Sequence, residues 1–402
     1  MTSAALPALL RRGLTGSAVT GMSIASRVLA LLLLVPAARR LSIEEFGTFS
    51  VVLGLAVASA NLVGSAPSDL IATSVGTTPG RTWSRVTWTV GVLAAVGTAL
   101  VVVALVAPGP AAVPALGLSV GVTAAAPVVA MSLLRGLDRP VVGAALALLV
   151  LPTGRAGAAL VADGTLASFL TAVSVVGVGV SGLALLAVVR ARPLPVTGTP
   201  DRPAGRRRWL AVVAGAGVSA TWFALGQSGV LWLSAVAGPE IVAAVVPTMR
   251  LCEALTAIAI GYKAAANRML QTSVDGRFPR GSLVWLGTAF ILAAGVMCAV
   301  APALVPVVFG PGLGFAWATA LPLIGSSALA VLVAVKVQLL FAAHHHARIA
   351  VASAGALVVA VSAGGVGAVL LGAVGVALAM LLTVTCWFLM LTVPRGPAVT
   401  PC

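Results

Sequence analysis

The chain has 402 residues, 60% of them apolar and only 8% charged, with a mean hydropathy of +1.13. A water-soluble domain must cover itself with charge, so this balance excludes one and describes a chain dissolved in lipid. Its 24 basic and 9 acidic residues give a net charge of +15, but the charges stand in short clusters between long apolar runs, which excludes a nucleic-acid-binding face and makes them markers of membrane topology.

The first apolar run follows Arg11 and Arg12, contains Arg27, and ends in PAARR without a small-residue cleavage site. It therefore reads as a retained span rather than a signal peptide. Apolar runs follow at 46–66, 84–107, 113–134, 140–162 and 166–189, after the first at 17–37. A second set occupies 209–237, 240–262, 283–308, 314–343, 349–371 and 373–393. At about 1.5 Å per residue, each can cross a hydrocarbon core of about 30 Å as a helix.

The basic residues test this count. With a cytoplasmic N-terminus, 18 of them fall in inner loops, and only Arg39 and Arg40 fall in outer ones. Arg27, Arg155, Arg250 and Lys336 lie inside spans. Such a bias is what the positive-inside rule predicts, and it places both termini in the cytoplasm. The longest polar stretch, RARPLPVTGTPDRPAGRRRW from Arg190 to Trp209, reads as a cytoplasmic linker. It divides the chain into residues 1–190, a basic linker at 191–208, and residues 209–402. Six is an even number of spans, so the halves are parallel repeats. The expected fold is thus an all-α integral membrane protein of about 12 transmembrane helices, in two parallel six-helix lobes around a central cavity.

With an offset of 195 residues, Glu45 in LSIEEFGTFSVVLGL falls on Glu240 in AGPEIVAAVVPTMRL. Both begin a second span, where a carboxylate suits the positive end of a helix. Glu44 and Glu45 can also offset Arg39 and Arg40. No C-x-x-C spacing joins Cys252, Cys298, Cys386 and Cys402, and His344, His345 and His346 lack the i, i+4 spacing of a helical metal site. No metal and no cofactor is expected.

The segment R-R-L-S-I-E-E-F-G-T-F-S-V-V-L, after a long first helix carrying Arg27, resembles the oligosaccharide flippases of bacterial polysaccharide biosynthesis. The segment A-G-P-E-I-V-A-A-V-V-P-T-M-R-L is similar to a recurring motif of that family, with Arg250 on its arginine. The family belongs to the multidrug/oligosaccharidyl-lipid/polysaccharide exporter superfamily, with the lipid II flippases and the multidrug and toxin extruders. The resemblance implies a cavity lined by spans 1, 2, 7 and 8, with arginines that meet substrate phosphates.

Arg27 and Arg250 each lie ten residues into a span, about 15 Å deep, where an ionisable group faces a cavity or a partner. A guanidinium gives phosphate two parallel hydrogen bonds and keeps its charge. Arg250 can instead form a structural ion pair with Glu253 at i, i+3. Glu253 is also the one candidate for binding a coupling proton or sodium ion. Lys336 and Arg155, each about 10 Å from a span end, can snorkel; Lys336 is also a candidate substrate contact. Asn61, Trp222 and Gln227 can hydrogen-bond or stack on sugar, or tie helices together.

The expected function is therefore a flippase in the cytoplasmic membrane, moving a polyprenyl-(pyro)phosphate-linked oligosaccharide by alternating access. Its partners are that anionic lipid-linked glycan, membrane lipids and other polysaccharide-assembly membrane proteins, with no nucleic acid. The alternatives are a small-molecule or multidrug exporter and an integral-membrane polymerase or glycosyltransferase. An enzyme of that kind needs a large extramembrane loop or a carboxylate cluster, and the sequence has neither.

Overall fold

In lipid every backbone N–H and C=O must find its partner within the chain, and the apolar runs meet this demand as helices. The computed structural model describes residues 5–65, 79–107, 111–137, 139–191, 205–272, 280–343 and 345–393. The middle of the expected linker, residues 192–204, lies outside them. The first six helices are α1 (Ala5–Arg40), α2 (Ile43–Ser65), α3 (Pro79–Val106), α4 (Ala112–Gly136), α5 (Pro140–Val161) and α6 (Leu166–Arg190). Then come α7 (Gly205–Ala237), α8 (Pro239–Thr272), α9 (Arg280–Phe309) and α10 (Trp317–Ala342).

The last helical stretch, His346–Thr392, is two helices joined at Gly372, whose φ of 56° is in the left-handed region. A methyl group on Gly375 would stand 2.0 Å from the carbonyl oxygen of Gly367. Eight residues of continuous helix would separate those positions by about 12 Å, so the chain folds back on itself here. The arms are α11 (346–371) and α12 (373–392). Among the described residues there is no strand, and eight helical stretches are long and apolar enough to cross a membrane, the last containing both arms. The protein is an all-helical, multi-pass membrane protein.

α4 is central to the first six helices, packing against α2, α3, α5 and α6. Hydroxyls lace it to α6: Ser174 Oγ donates to Leu116 O at 3.3 Å, and Ser181 Oγ to Thr123 O at 3.0 Å. In the last six, α7 lies along α11 and α12 and is tied in the same way. Thr221 Oγ1 donates to Ser353 O at 2.9 Å and Ser228 Oγ to Ala360 O at 3.3 Å. In each pair donor and acceptor advance together by seven residues, which makes the laced helices parallel.

The 41–42 turn joins parts of both sets. Ser42 and Glu45 form a reciprocal cap on α2, Glu45 N donating to Ser42 Oγ at 3.2 Å and Ser42 N to Glu45 Oε2 at 3.2 Å. Arg39 and Arg40 are bound elsewhere than expected. Arg39 Nε donates to Val308 O at 3.0 Å, at the end of α9, while Arg40 Nη1 donates to Leu160 O and Ala162 O at 2.9 Å, at the end of α5. Carbonyls at helix C-termini carry partial negative charge and lack intrahelical partners, so they hold these arginines where carboxylates were expected to.

The 238 turn has its own logic. Gly238, φ 85°, ends α7 in the left-handed region, and Pro239 starts α8 where its missing N–H costs nothing. A methyl group on Gly47 would stand 1.9 Å from Pro239 O, so α2 and α8 meet backbone to backbone at this end.

Candidate substrate-binding site

Two of the mid-membrane arginines come together. Arg250 and Glu253 lie one turn apart on α8 and pair at 2.6 Å, each side chain 20% exposed. The i, i+3 pair anticipated as the structural alternative is thus formed. It follows Pro247, whose ring removes the hydrogen bond to the carbonyl of Ala243. Arg27, half-buried on α1, lies within electrostatic range of both groups, and α1 packs along α8. Two guanidiniums and one carboxylate give these three groups a net charge of +1. Arg27 makes no hydrogen bond or ion pair among the described residues, so its donors are uncommitted.

Helices α2 and α7 complete the surroundings. A methyl group on Gly54 would stand 2.2 Å from Gln227 Oε1 and 3.2 Å from Arg250 Nη2. One on Gly226 would stand 3.9 Å from Glu253 Oε1. The absence of side chains at these glycines lets α2 and α7 approach the ion pair, and the buried Gln227 is brought beside Arg250. The amide and the charges therefore converge from α1, α7 and α8 against the bare face of α2.

No family model and no curated protein matches the chain. Among solved structures it is similar to one titled a crystal structure of MATE in the bent conformation, at 12% identity over 94% of each chain with a TM-score of 0.53. The chain has the MATE fold. A second MATE structure, titled an inward-facing multidrug resistance MATE family transporter of the MOP superfamily, aligns at 13% identity over 92% of each chain with a TM-score of 0.48.

Within the MATE fold the other expected site residues separate. Trp222 packs edge-to-face on Trp387 of α12, ring centroids 5.1 Å apart, in the core shared by α7, α10, α11 and α12. Lys336 is half-buried on α10, and no hydrogen bond or ion pair joins it to Arg250 or Glu253 among the described residues. The side chain of Asn61 lies outside the described residues. Gly54 and Gly226 were not anticipated; their signal was a small residue facing a polar one across a helix pair.

Arg155 departs from its expected snorkelling. It is 4% exposed and turns into the first six helices, where Nη2 donates to Val120 O at 2.9 Å and meets Thr123 Oγ1 at 3.4 Å. The cause is local. Pro152 cannot donate, and a π turn at Leu146–Val150 widens α5 just before it. The extra residue turns the rest of α5 by about 100° relative to a regular helix, carrying Arg155 inward.

Proposed function

We propose that this protein is an alternating-access transporter for an anionic amphiphile, a polyprenyl-linked oligosaccharide phosphate moving from the cytoplasmic to the outer leaflet. The observation that carries the reading is the convergence of Arg27 and Arg250, from opposite halves of the chain, on a single carboxylate at mid-span. The resulting net positive charge suits a phosphate that must cross a low-dielectric core. Arg27 offers its uncommitted fork to the phosphate. Arg250 exchanges one carboxylate oxygen for a phosphate oxygen as Glu253 is released, with Gln227 available to a sugar hydroxyl. The lobes 1–190 and 209–402 rock about this site, with the basic linker and both termini on the cytoplasmic side.

The direct test is delivery of lipid-linked glycan to the outer leaflet in Arg27→Ala, Arg250→Ala and Arg250→Lys variants, with abundance measured alongside. Both alanine variants should lose delivery at near-normal abundance, and lysine should restore part of it, keeping charge without the fork. An Arg250→Gln/Glu253→Gln protein that is folded and fully active would remove Arg250 from the substrate site. Reporter fusions at Gly205 and Gly281 should read cytoplasm, and those at Gly109 and Gly312 the outside.

One observation favours a second reading. Glu253 places a carboxylate in the same cluster, and a proton or sodium ion arriving there would release Arg250, as coupled export of small molecules requires. Energy-dependent efflux of a cationic dye such as ethidium, lost in Glu253→Gln, would establish that reading over the first.

A further inference from the structure

The lipid-facing surface of the last six helices carries a groove between α7 and α11. Its volume is about 890 Å³, and it runs beside Trp232 along α11 from Leu357 to Leu370, about 20 Å of helix. Two glycines make room for the indole. A methyl group on Gly364 would stand 3.5 Å from Trp232 Cδ1 and one on Gly365 3.1 Å from Cε2, so the ring rests on bare backbone.

The lining keeps no free donor. Trp232 Nε1 donates to Val361 O at 3.1 Å and Ser362 Oγ to Val358 O at 2.8 Å. Around them Val358, Val361, Val366 and Val369 present carbon, and all four are exposed. An occupant therefore meets the groove with hydrocarbon alone, since a headgroup or a sugar would leave its own polar atoms unpaired there. Nine residues line it, too few for a second copy of the chain, because a standard interface takes about 20–30 on each side.

Moving a hydrocarbon chain from bilayer to groove gains no hydrophobic energy, because lipid tails are as apolar as the lining. What the groove offers is fit. Helical valines have one strongly preferred rotamer, and the indole is held by its hydrogen bond, so the wall is stiff. Against a stiff wall the favoured chain is the one that loses least freedom on ordering. A prenyl chain has a fixed double bond in every isoprene unit, and so fewer torsions to freeze than a saturated acyl chain of equal length. The wall helix also reaches the central cluster. Trp232 is five residues beyond Gln227, about 7.5 Å along α7 and about 140° around it. One helix thus presents an amide to the site and an indole to lipid.

We propose, on the transport reading above, that this groove holds the polyprenyl tail of the transported molecule while its phosphate meets Arg27 and Arg250. The tail passes around α7, with the head on one face and hydrocarbon on the other.

The test is photolabelling of the purified full-length protein in phosphatidylethanolamine and phosphatidylglycerol vesicles. One probe is a polyprenyl phosphate with a diazirine in its chain, the other a phosphatidylglycerol with a diazirine in an acyl chain. The prenyl probe should label Trp232 and the 357–370 segment, and excess unlabelled polyprenyl phosphate should cut that labelling at least about tenfold. The acyl probe should label the groove no more than it labels Ile291 and Leu292 of α9, which are equally open to lipid. Val366→Trp fills the groove from its exposed side and should lose the competed labelling at unchanged abundance and unfolding temperature. Ile291→Trp should keep it. Equal labelling of the groove by both probes overturns the inference, as does prenyl labelling that neither the competitor nor Val366→Trp reduces; ordinary membrane lipid then fills the groove. Labelling is read without transport, so the two readings fail separately. Glycan delivery without groove labelling overturns the groove alone, whereas competed labelling in a protein that delivers no glycan supports the groove and counts against the transport reading.

Discussion

The first six helices and the last six follow one span plan but fill their interiors with different chemistry. Inside α1–α6 lies a polar seam of Ser119, Thr123, Arg155, Ser174 and Ser181, all buried, with a guanidinium at its centre. Inside α7–α12 the corresponding space is filled by the Trp222–Trp387 pair and by the tight Gly367–Gly375 contact between α11 and α12. Both sets use hydroxyl laces at seven-residue spacing, so the lacing belongs to the architecture and the filling does not. The last six helices bury hydroxyls too, at Thr221, Ser353 and Thr383, but among the described residues no charged side chain there is as deeply buried as Arg155. The first six helices instead enclose a guanidinium that is met by a backbone carbonyl and a threonine hydroxyl.

The sharpest way to break the contrast is to remove bulk from the last six helices. Trp387 is fully buried, and Trp387→Ala should cost on the order of 3 kcal/mol, read as a large fall in unfolding temperature in detergent. Gly375→Ala should cost about 1–3 kcal/mol, because the added carbon meets the backbone oxygen of Gly367 rather than a side chain that can turn aside. In the first six helices Arg155→Met tests whether the charge or the volume matters. The variant should unfold at the same temperature as the wild type or higher, since an apolar replacement removes the cost of burying a charge without a carboxylate partner. A fall as large as that of Trp387→Ala would show the guanidinium to be ordinary packing. The smallest effects belong to the shared laces: Ser181→Ala and Ser228→Ala should each cost about 0.6 kcal/mol, equally in both sets, by chemical denaturation.

Much of this architecture was legible in the sequence because lipid imposes it. A span must be about twenty apolar residues long, and the run break at Gly372 falls on the reversal between α11 and α12. The Arg250–Glu253 pair followed from helix spacing alone. What could not be read were partners without side chains. Arg39 and Arg40 bind backbone carbonyls of α9 and α5, which any residue can present, so the sequence offered Glu44 and Glu45 in their place. Arg155 was misplaced for another reason. Its direction depends on the π turn beside Pro152, and a regular helical count points the side chain elsewhere. Arg27 and Arg250 shared a depth in the sequence, but only the packing of α1 along α8 brings them to one carboxylate.

Arg39 and Arg40 are neighbours on one turn of α1, yet one grips the end of α9 and the other the end of α5. The tip of α1 is thus a yoke with a rein in each half of the protein. If α5 and α9 move apart, α1 cannot follow both, and one grip must release before the other. If the proposed transport cycle opens this end, the weaker rein decides which half α1 travels with.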